Sequence, residues 1–219
     1  MTLARLLLCT DMDRTVIPNG SSAEHPEARK CFRDFCRLPE VRLVYVTGRH
    51  RALVEQAVTE YRLPQPDFAI TDVGTKIYRI DAGVWTEIEL WEKTIAKNWQ
   101  GKSHDQLERL LRPLSELTLQ EAAKQNTCKL SYYLPLSADK PGVSGWIENR
   151  LREAGVTANL IWSIDELEQV ALLDVLPMNA DKLHGIEFLR HYLEFGLDEV
   201  LFAGDSGNDL PVFGSAITS

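Results

Sequence analysis

The apolar run Leu6-Leu-Leu-Cys-Thr10 stops abruptly at Asp11-Met-Asp13-Arg14-Thr15. A stretch this short makes little of a helix, and a continuous apolar strand is one covered on both faces. The run therefore predicts a buried strand whose end meets solvent at two aspartates. Side chains alternate along extended backbone, so Asp11 and Asp13 point different ways. One can attack or bind a metal while the other handles a proton. That division of labour suits metal-assisted group transfer, phosphoryl transfer above all.

The pattern recurs. A strand over 42–46 runs into Thr47-Gly48-Arg49, and a strand over 67–71 runs into Asp72-Val73-Gly74. Helices are predicted between them over 26–38 and 51–61, from apolar residues at helical spacing. A helix over 181–195 precedes a strand over 199–203, which enters Gly204-Asp205-Ser206-Gly207-Asn208-Asp209. Strands alternating with helices imply an α/β fold with a doubly wound parallel sheet, Rossmann-like. The middle differs. Residues 85–90 alternate like a half-exposed strand, 91–114 and 119–124 read as helical, and 145–154 is an amphipathic helix. Strands over 129–134, 158–163 and 169–176 complete a small α+β unit with antiparallel pairing. The expected organisation is a discontinuous core, 1–80 and 171–219, with an insert over 81–170.

Net charge is −8, from 24 Lys+Arg and 32 Asp+Glu, and no basic cluster stands out. That argues against a nucleic-acid partner, and the acidic excess is read as solubility. Of the four cysteines no two form Cys-x-x-Cys, so zinc is not expected, and reduced thiols suit the cytoplasm. Arg5 and three leucines are too short for a signal peptide, and no run is long enough for a membrane span. His104, His184 and His191 have no metal-ligand spacing. A monomer acting on a small molecule is the expectation.

Four clusters carry chemistry: Asp11/Asp13/Thr15, Thr47-Gly48-Arg49, Lys182 at a helix start, and 204–209. In an open parallel sheet, ligands sit beyond the carboxyl ends of the strands, where three of the clusters lie. Phosphoryl transfer needs positioning and charge stabilisation, and each cluster supplies a part. Asp11 would attack phosphorus, and Asp13 would protonate the leaving oxygen and then activate water. Thr47, Gly48, Lys182 and Asn208 would hold phosphate, Asn208 alternatively orienting Asp205. Asp11 and Asp205 would hold Mg²⁺, with Asp209 and Ser206 supporting them. Alone, Asp-x-Asp-x-Thr can simply cap a helix, Thr-Gly-Arg can be turn geometry, and a lysine is ordinarily solvated. A calcium EF-hand loop fails at both acidic runs, because Val16 and Leu210 stand where its glycine is required. Together and in this order, the clusters make the bland readings poor ones.

The four clusters resemble the motifs of the haloacid dehalogenase superfamily of phosphatases. The resemblance carries the roles above onto Asp11, Asp13, Thr47, Lys182 and Asp205, with Asp209 in support and the Asp13 backbone carbonyl on the metal. An insert between the second and third motifs is similar to the α/β cap of the branch acting on sugar phosphates. Pro66-Asp67-Phe68, the run Thr71-Asp-Val-Gly-Thr-Lys-Ile-Tyr78, Lys129-Leu-Ser-Tyr-Tyr133 and Asp174-Val-Leu-Pro177 resemble sucrose-phosphate phosphatases. The resemblance implies a Mg²⁺-dependent phosphatase for a phosphorylated disaccharide, sucrose-6-phosphate first. Mannosylfructose-phosphate or another glycosyl phosphate is the alternative, and a non-catalytic sugar-phosphate-binding domain is the alternative of another class. Arg49, Asp72 and Lys76, near the junction with the insert, are candidate substrate contacts. Arg14 departs from the small residue usual there, and either touches substrate or pairs with acidic neighbours. The chain also stops at Ser219, where the resemblance implies a further strand and helix, so a truncated chain or a natural fragment is expected.

Overall fold

A computed structural model describes residues 5–18, 24–165, 168–205 and 207–219. The chain forms two compact units, Met1–Trp91 with Asp181–Ser219, and Glu92–Ala180. The first is built on strands β1 (Leu6–Thr10), β2 (Val41–Val46), β3 (Phe68–Thr71), β4 (Lys76–Asp81), β5 (Val84–Glu87) and, late in the chain, β10 (Val200–Ala203). They form one sheet in the order β10-β1-β2-β3-β4-β5. The first four are parallel, and β4 and β5 add on antiparallel. Leu7 and Cys9 of β1 are wholly buried and Leu8 nearly so, as a strand covered on both faces requires. On one face Leu8, Leu43 and Tyr45 meet Val54, Ala57 and Val58 of α2 (Arg51–Glu60). On the other, α6 (Lys182–Tyr192) lies so close to β3 that a Cβ on Gly185 would come 2.9 Å from Ile70. The fold is thus α/β, with a doubly wound, mainly parallel sheet.

The sheet extends further than the sequence pattern suggests. Residues 85–90 were expected in the insert, yet β5 pairs with β4 in the first unit. Ala82 and Gly83, both at positive φ, make the two-residue turn between them. Trp85 packs edge-on against Tyr78, 5.5 Å between ring centroids, so alternation along 84–87 fits a half-covered sheet edge.

The second unit is a four-stranded antiparallel sheet, β6 (Thr118–Leu119), β7 (Leu130–Pro135), β8 (Ala158–Asp165) and β9 (Val170–Pro177), in the order β6-β7-β9-β8. Strand β9 therefore belongs here, although 171 onward was expected in the core. Helices α4 (His104–Leu111) and α5 (Lys140–Glu153) cover one face, where Leu107, Ile147 and Leu151 meet Leu130, Tyr132, Leu173 and Val175. A helix over 119–124 was expected, but the segment is a two-residue strand and a 3-10 turn. Its glutamines bond to the neighbouring strand instead of supporting a helix. Gln120 Nε2 donates to the Tyr132 carbonyl at 2.9 Å, and Gln125 Nε2 to that of Ser131 at 2.8 Å.

Candidate active site

Parallel register sets the candidate residues side by side. Thr10 pairs with both Ala203 and Tyr45, so β10, β1 and β2 end together, with β3 adjoining. Asp11, one residue past β1, donates its N–H to the Ala203 carbonyl at 2.8 Å. Thr47, one past β2, donates to Ile70 at 2.9 Å. Both are buried, while Asp205 beyond β10 is exposed. Asp11, Asp205 and Asp209 each bring a carboxylate oxygen within 4.8 Å of the others. Three hard anionic oxygens at that spacing match what Mg²⁺ accepts, with room left for water or phosphate.

Lys182 joins this cluster from the opposite end of the chain. It is the first residue of α6, whose N-cap Asp181 accepts the His184 N–H at 2.8 Å. A cation at a helix N-terminus opposes the helix dipole, and Lys182 is also almost completely buried. Two carboxylates offset both costs: Nζ donates to Asp11 Oδ1 and to Asp209 Oδ1, each at 2.7 Å. The other oxygen of Asp209 accepts the Asp205 N–H at 3.2 Å, which fixes the loop carrying Asp205. Gly204 is required there, because a Cβ would fall 2.6 Å from Asp209 Oδ2. Burial pushes the Asp11 carboxyl up to about 6, with Lys182 pulling it back.

Asp13 lies under a guanidinium. Arg49 Nε donates to its Oδ2 at 2.9 Å and Nη2 to its Oδ1 at 2.7 Å. The main chain around Arg49 is pinned by an unusual turn. Asp72, Val73 and Gly74 have φ of 54°, 59° and 95°, three left-handed residues in a row. For a β-branched valine this is a true outlier, and each non-glycine residue so held costs on the order of 1–3 kcal/mol. The turn is buried and over-determined. The Asp72 N–H donates to the Arg49 carbonyl at 3.0 Å, and the Val73 N–H to that of Thr47 at 3.3 Å. Trp91 Nε1 donates to the Gly74 carbonyl at 2.9 Å, and a Cβ on Gly74 would strike Asp181 at 2.4 Å.

A family model for sucrose-6F-phosphate phosphohydrolase matches residues 4–219. The chain belongs to that family. It is therefore a member of the haloacid dehalogenase superfamily. A mannosylfructose-phosphate phosphatase of Agrobacterium fabrum is 32% identical over 212 residues, covering 94% of this chain and 78% of that protein. A HAD-like hydrolase of Nitrosococcus oceani is 46% identical over 213 residues, covering 97% of this chain and 57% of that protein. The chain thus spans little more than half the length of that relative. The solved sucrose-phosphatase from Synechocystis sp. PCC6803, in complex with sucrose and phosphate, has a TM-score of 0.79 at 26% identity, over 98% of this chain and 81% of that one.

The other expected residues fall into two groups. Asn208 and Gly48 lie together: a Cβ on Gly48 would meet Asn208 Nδ2 at 3.9 Å and Val73 at 3.8 Å. Thr47 Oγ1 accepts the Arg49 N–H at 3.2 Å. Lys76, expected at substrate, pairs with Glu87 across β4 and β5 at 2.7 Å, and Asp72 Oδ2 accepts the Thr71 hydroxyl at 2.9 Å. Arg14 is exposed, with φ of 58° in the turn after Asp13. Ser206 lies outside the described residues. Sequence reading missed the Arg49–Asp13 pair. Its only signal is an arginine directly after the Thr-Gly of a strand end. Sequence reading singled out the runs that hold Lys129, Ser131 and Asp174 without bringing them together; in the second unit the Ser131 hydroxyl bonds Asp174 and Lys129 Nζ stands 3.9 Å from the same carboxylate.

Proposed function

We propose that this protein is a Mg²⁺-dependent phosphatase for a phosphorylated disaccharide, sucrose-6-phosphate first, working through an aspartyl-phosphate. The observation that carries the reading is Lys182 bonded to both Asp11 and Asp209, with Asp205 beside them at the ends of adjacent strands. Asp11, Asp205 and the Asp13 carbonyl would hold the cation, supported by Asp209 and Ser206. When bound it supplies positive charge to the phosphoryl oxygens. Asp11 attacks phosphorus, and its bond to Lys182 holds the carboxylate in line. Asp13 gives a proton to the leaving sugar oxygen, then takes one from the water that cleaves the aspartyl-phosphate. Thr47, Gly48, Asn208 and Lys182 bind the phosphate oxygens. Filled catalytic positions weigh against a non-catalytic sugar-phosphate binder.

The second reading is mannosylfructose-phosphate, favoured by the higher identity to the Agrobacterium enzyme, 32% against 26% for a probable sucrose-phosphatase of Arabidopsis thaliana. In either case the partner is a small sugar phosphate, and we place the protein in the cytoplasm as a monomer. No helix among the described residues is long and apolar enough to cross a membrane. A phosphate-release screen over glycosyl phosphates with Mg²⁺ tests the substrate. Release from one disaccharide phosphate well above the rest is expected, and failure on all by a folded protein overturns the claim. An Asp11→Asn variant should lose at least about 10³-fold in turnover. Full turnover in that variant rules the mechanism out.

A further inference from the structure

We infer that Arg49 is a positioning residue for Asp13, aiming its carboxylate at the water that cleaves the aspartyl-phosphate, and is not a contact for the sugar; this rests on the phosphatase reading above. A guanidinium is a rigid planar fork, and here both of its engaged nitrogens meet both oxygens of Asp13, at 2.9 and 2.7 Å. That fixes the plane of the carboxylate as well as its place, which a point charge cannot do. The fork is anchored from behind. The Arg49 N–H is held by Thr47 Oγ1 and its carbonyl by the Asp72 N–H, at 3.2 and 3.0 Å. The left-handed turn Asp72–Gly74 supplies the second anchor, which gives that strained and buried segment a purpose. A guanidinium only donates, so a fork on both oxygens matches a carboxylate, and each oxygen keeps a second lone pair that can take the water proton. The geometry therefore serves the half-reaction in which Asp13 accepts a proton. There the water oxygen bonds phosphorus as the Asp11 oxygen leaves it. The water proton passes to Asp13, and phosphate departs from a restored Asp11 carboxylate.

Rapid-quench turnover of the full chain with Mg²⁺ and radiolabelled sucrose-6-phosphate, or whichever glycosyl phosphate leads the screen, tests this. In Arg49→Gln, acid quenching should trap protein-bound phosphate approaching one per chain, with kcat down about 10²-fold and KM not raised. Arg49→Lys should recover little of the rate, because it restores charge without the fork. Its melting temperature should match that of the unaltered protein. A raised KM with kcat kept and no trapped phosphate would make Arg49 a substrate contact and overturn the inference. Equal slowing of sugar release and phosphate release would overturn it too, as a general distortion of the site. Asp13→Asn separates the two levels. If it traps phosphate and the Arg49 variants do not, only the role of Arg49 fails. If it slows neither sugar release nor phosphate release, the assignment of Asp13 fails and takes the inference with it.

Discussion

In the six-stranded sheet the buried charges stand just past the strand ends; in the four-stranded sheet they stand along the strands, on the face the helices leave uncovered. Asp11 and Thr47 follow β1 and β2 directly, and Lys182 reaches Asp11 from a helix start. Ser131 and Asp174 are register partners on β7 and β9, and Lys129 enters the same cluster from the turn before β7. A strand-end site is built from contiguous runs, and a slip in register leaves its composition intact. A mid-strand cluster depends on alternation, and a one-residue slip would turn every member to the other face.

The contrast is sharpest in what a lost lysine costs. Lys182→Met leaves two buried carboxylates, Asp11 and Asp209, without their cation, which should cost about 3–5 kcal/mol and abolish turnover. Urea unfolding without metal measures the loss. Its pH dependence has a definite sign. Burial raises the Asp11 carboxyl from 3.8 to about 6 in the folded protein. The folded state therefore keeps a proton that the unfolded chain has released, and stability falls as pH rises through that window. Removing Lys182 should deepen that fall, so the variant is least handicapped near pH 4. A uniform deficit across pH would mean that charge burial is not the cause. Next in size is Mg²⁺ itself. At a hundredfold excess over its dissociation constant it should stabilise the unaltered protein by about 2.7 kcal/mol, and Asp205→Asn should remove most of that gain. An equal gain in Asp205→Asn would move the cation elsewhere.

How much of this was legible follows the same division. Asp11, Thr47, Asp205 and the helix start at Lys182 could be read because an apolar run ending in a functional side chain fixes where that side chain sits. The parallel order of the sheet followed from the same runs. Strand β5 was misplaced because a half-covered edge strand alternates like any strand of a small α+β unit. The helix expected over 119–124 failed because Gln120 and Gln125 spend their amides on a neighbouring strand, a tertiary choice with no local trace. The turn Asp72–Gly74 was hidden for another reason: nothing in Asp-Val-Gly announces a left-handed valine, which persists only because Thr47, Arg49 and Trp91 hold it from three sides. The pairing of Arg49 with Asp13 required knowing that turn.

In the second sheet the matching change is milder. Lys129→Met leaves Asp174 still bonded to the Ser131 hydroxyl, and the Lys129–Asp174 separation of 3.9 Å is already long. The stability cost should be about 1–2 kcal/mol, against the larger loss for Lys182→Met. If this face meets the sugar, KM should rise about tenfold while kcat stays near its original value. Equal costs for the two lysines would end the distinction between the sheets.

The smallest effect needs no enzyme assay, because each sheet carries a buried thiol. Cys9 lies in β1 with no exposed surface, and burial raises its thiol far above the ordinary range. Cys128 is 2% exposed, but it sits in the turn before β7, where its N–H donates to the Asn126 side chain at 2.9 Å. Cys31 is exposed, while burial and then Asp67 push Cys36 up to about 11. At pH 8, a chromogenic disulfide should therefore take Cys31 first and Cys36 more slowly, since only the thiolate attacks. Cys128 should follow through local opening of its turn, and Cys9 last, when the six-stranded sheet unfolds as a whole. Mass spectrometry of the labelled chain gives the order directly. Labelling of Cys9 ahead of Cys128 would mean that the strand leading into Asp11 opens more readily than the turn before β7. The rigid support assigned here to the phosphoryl-transfer residues would then be lost.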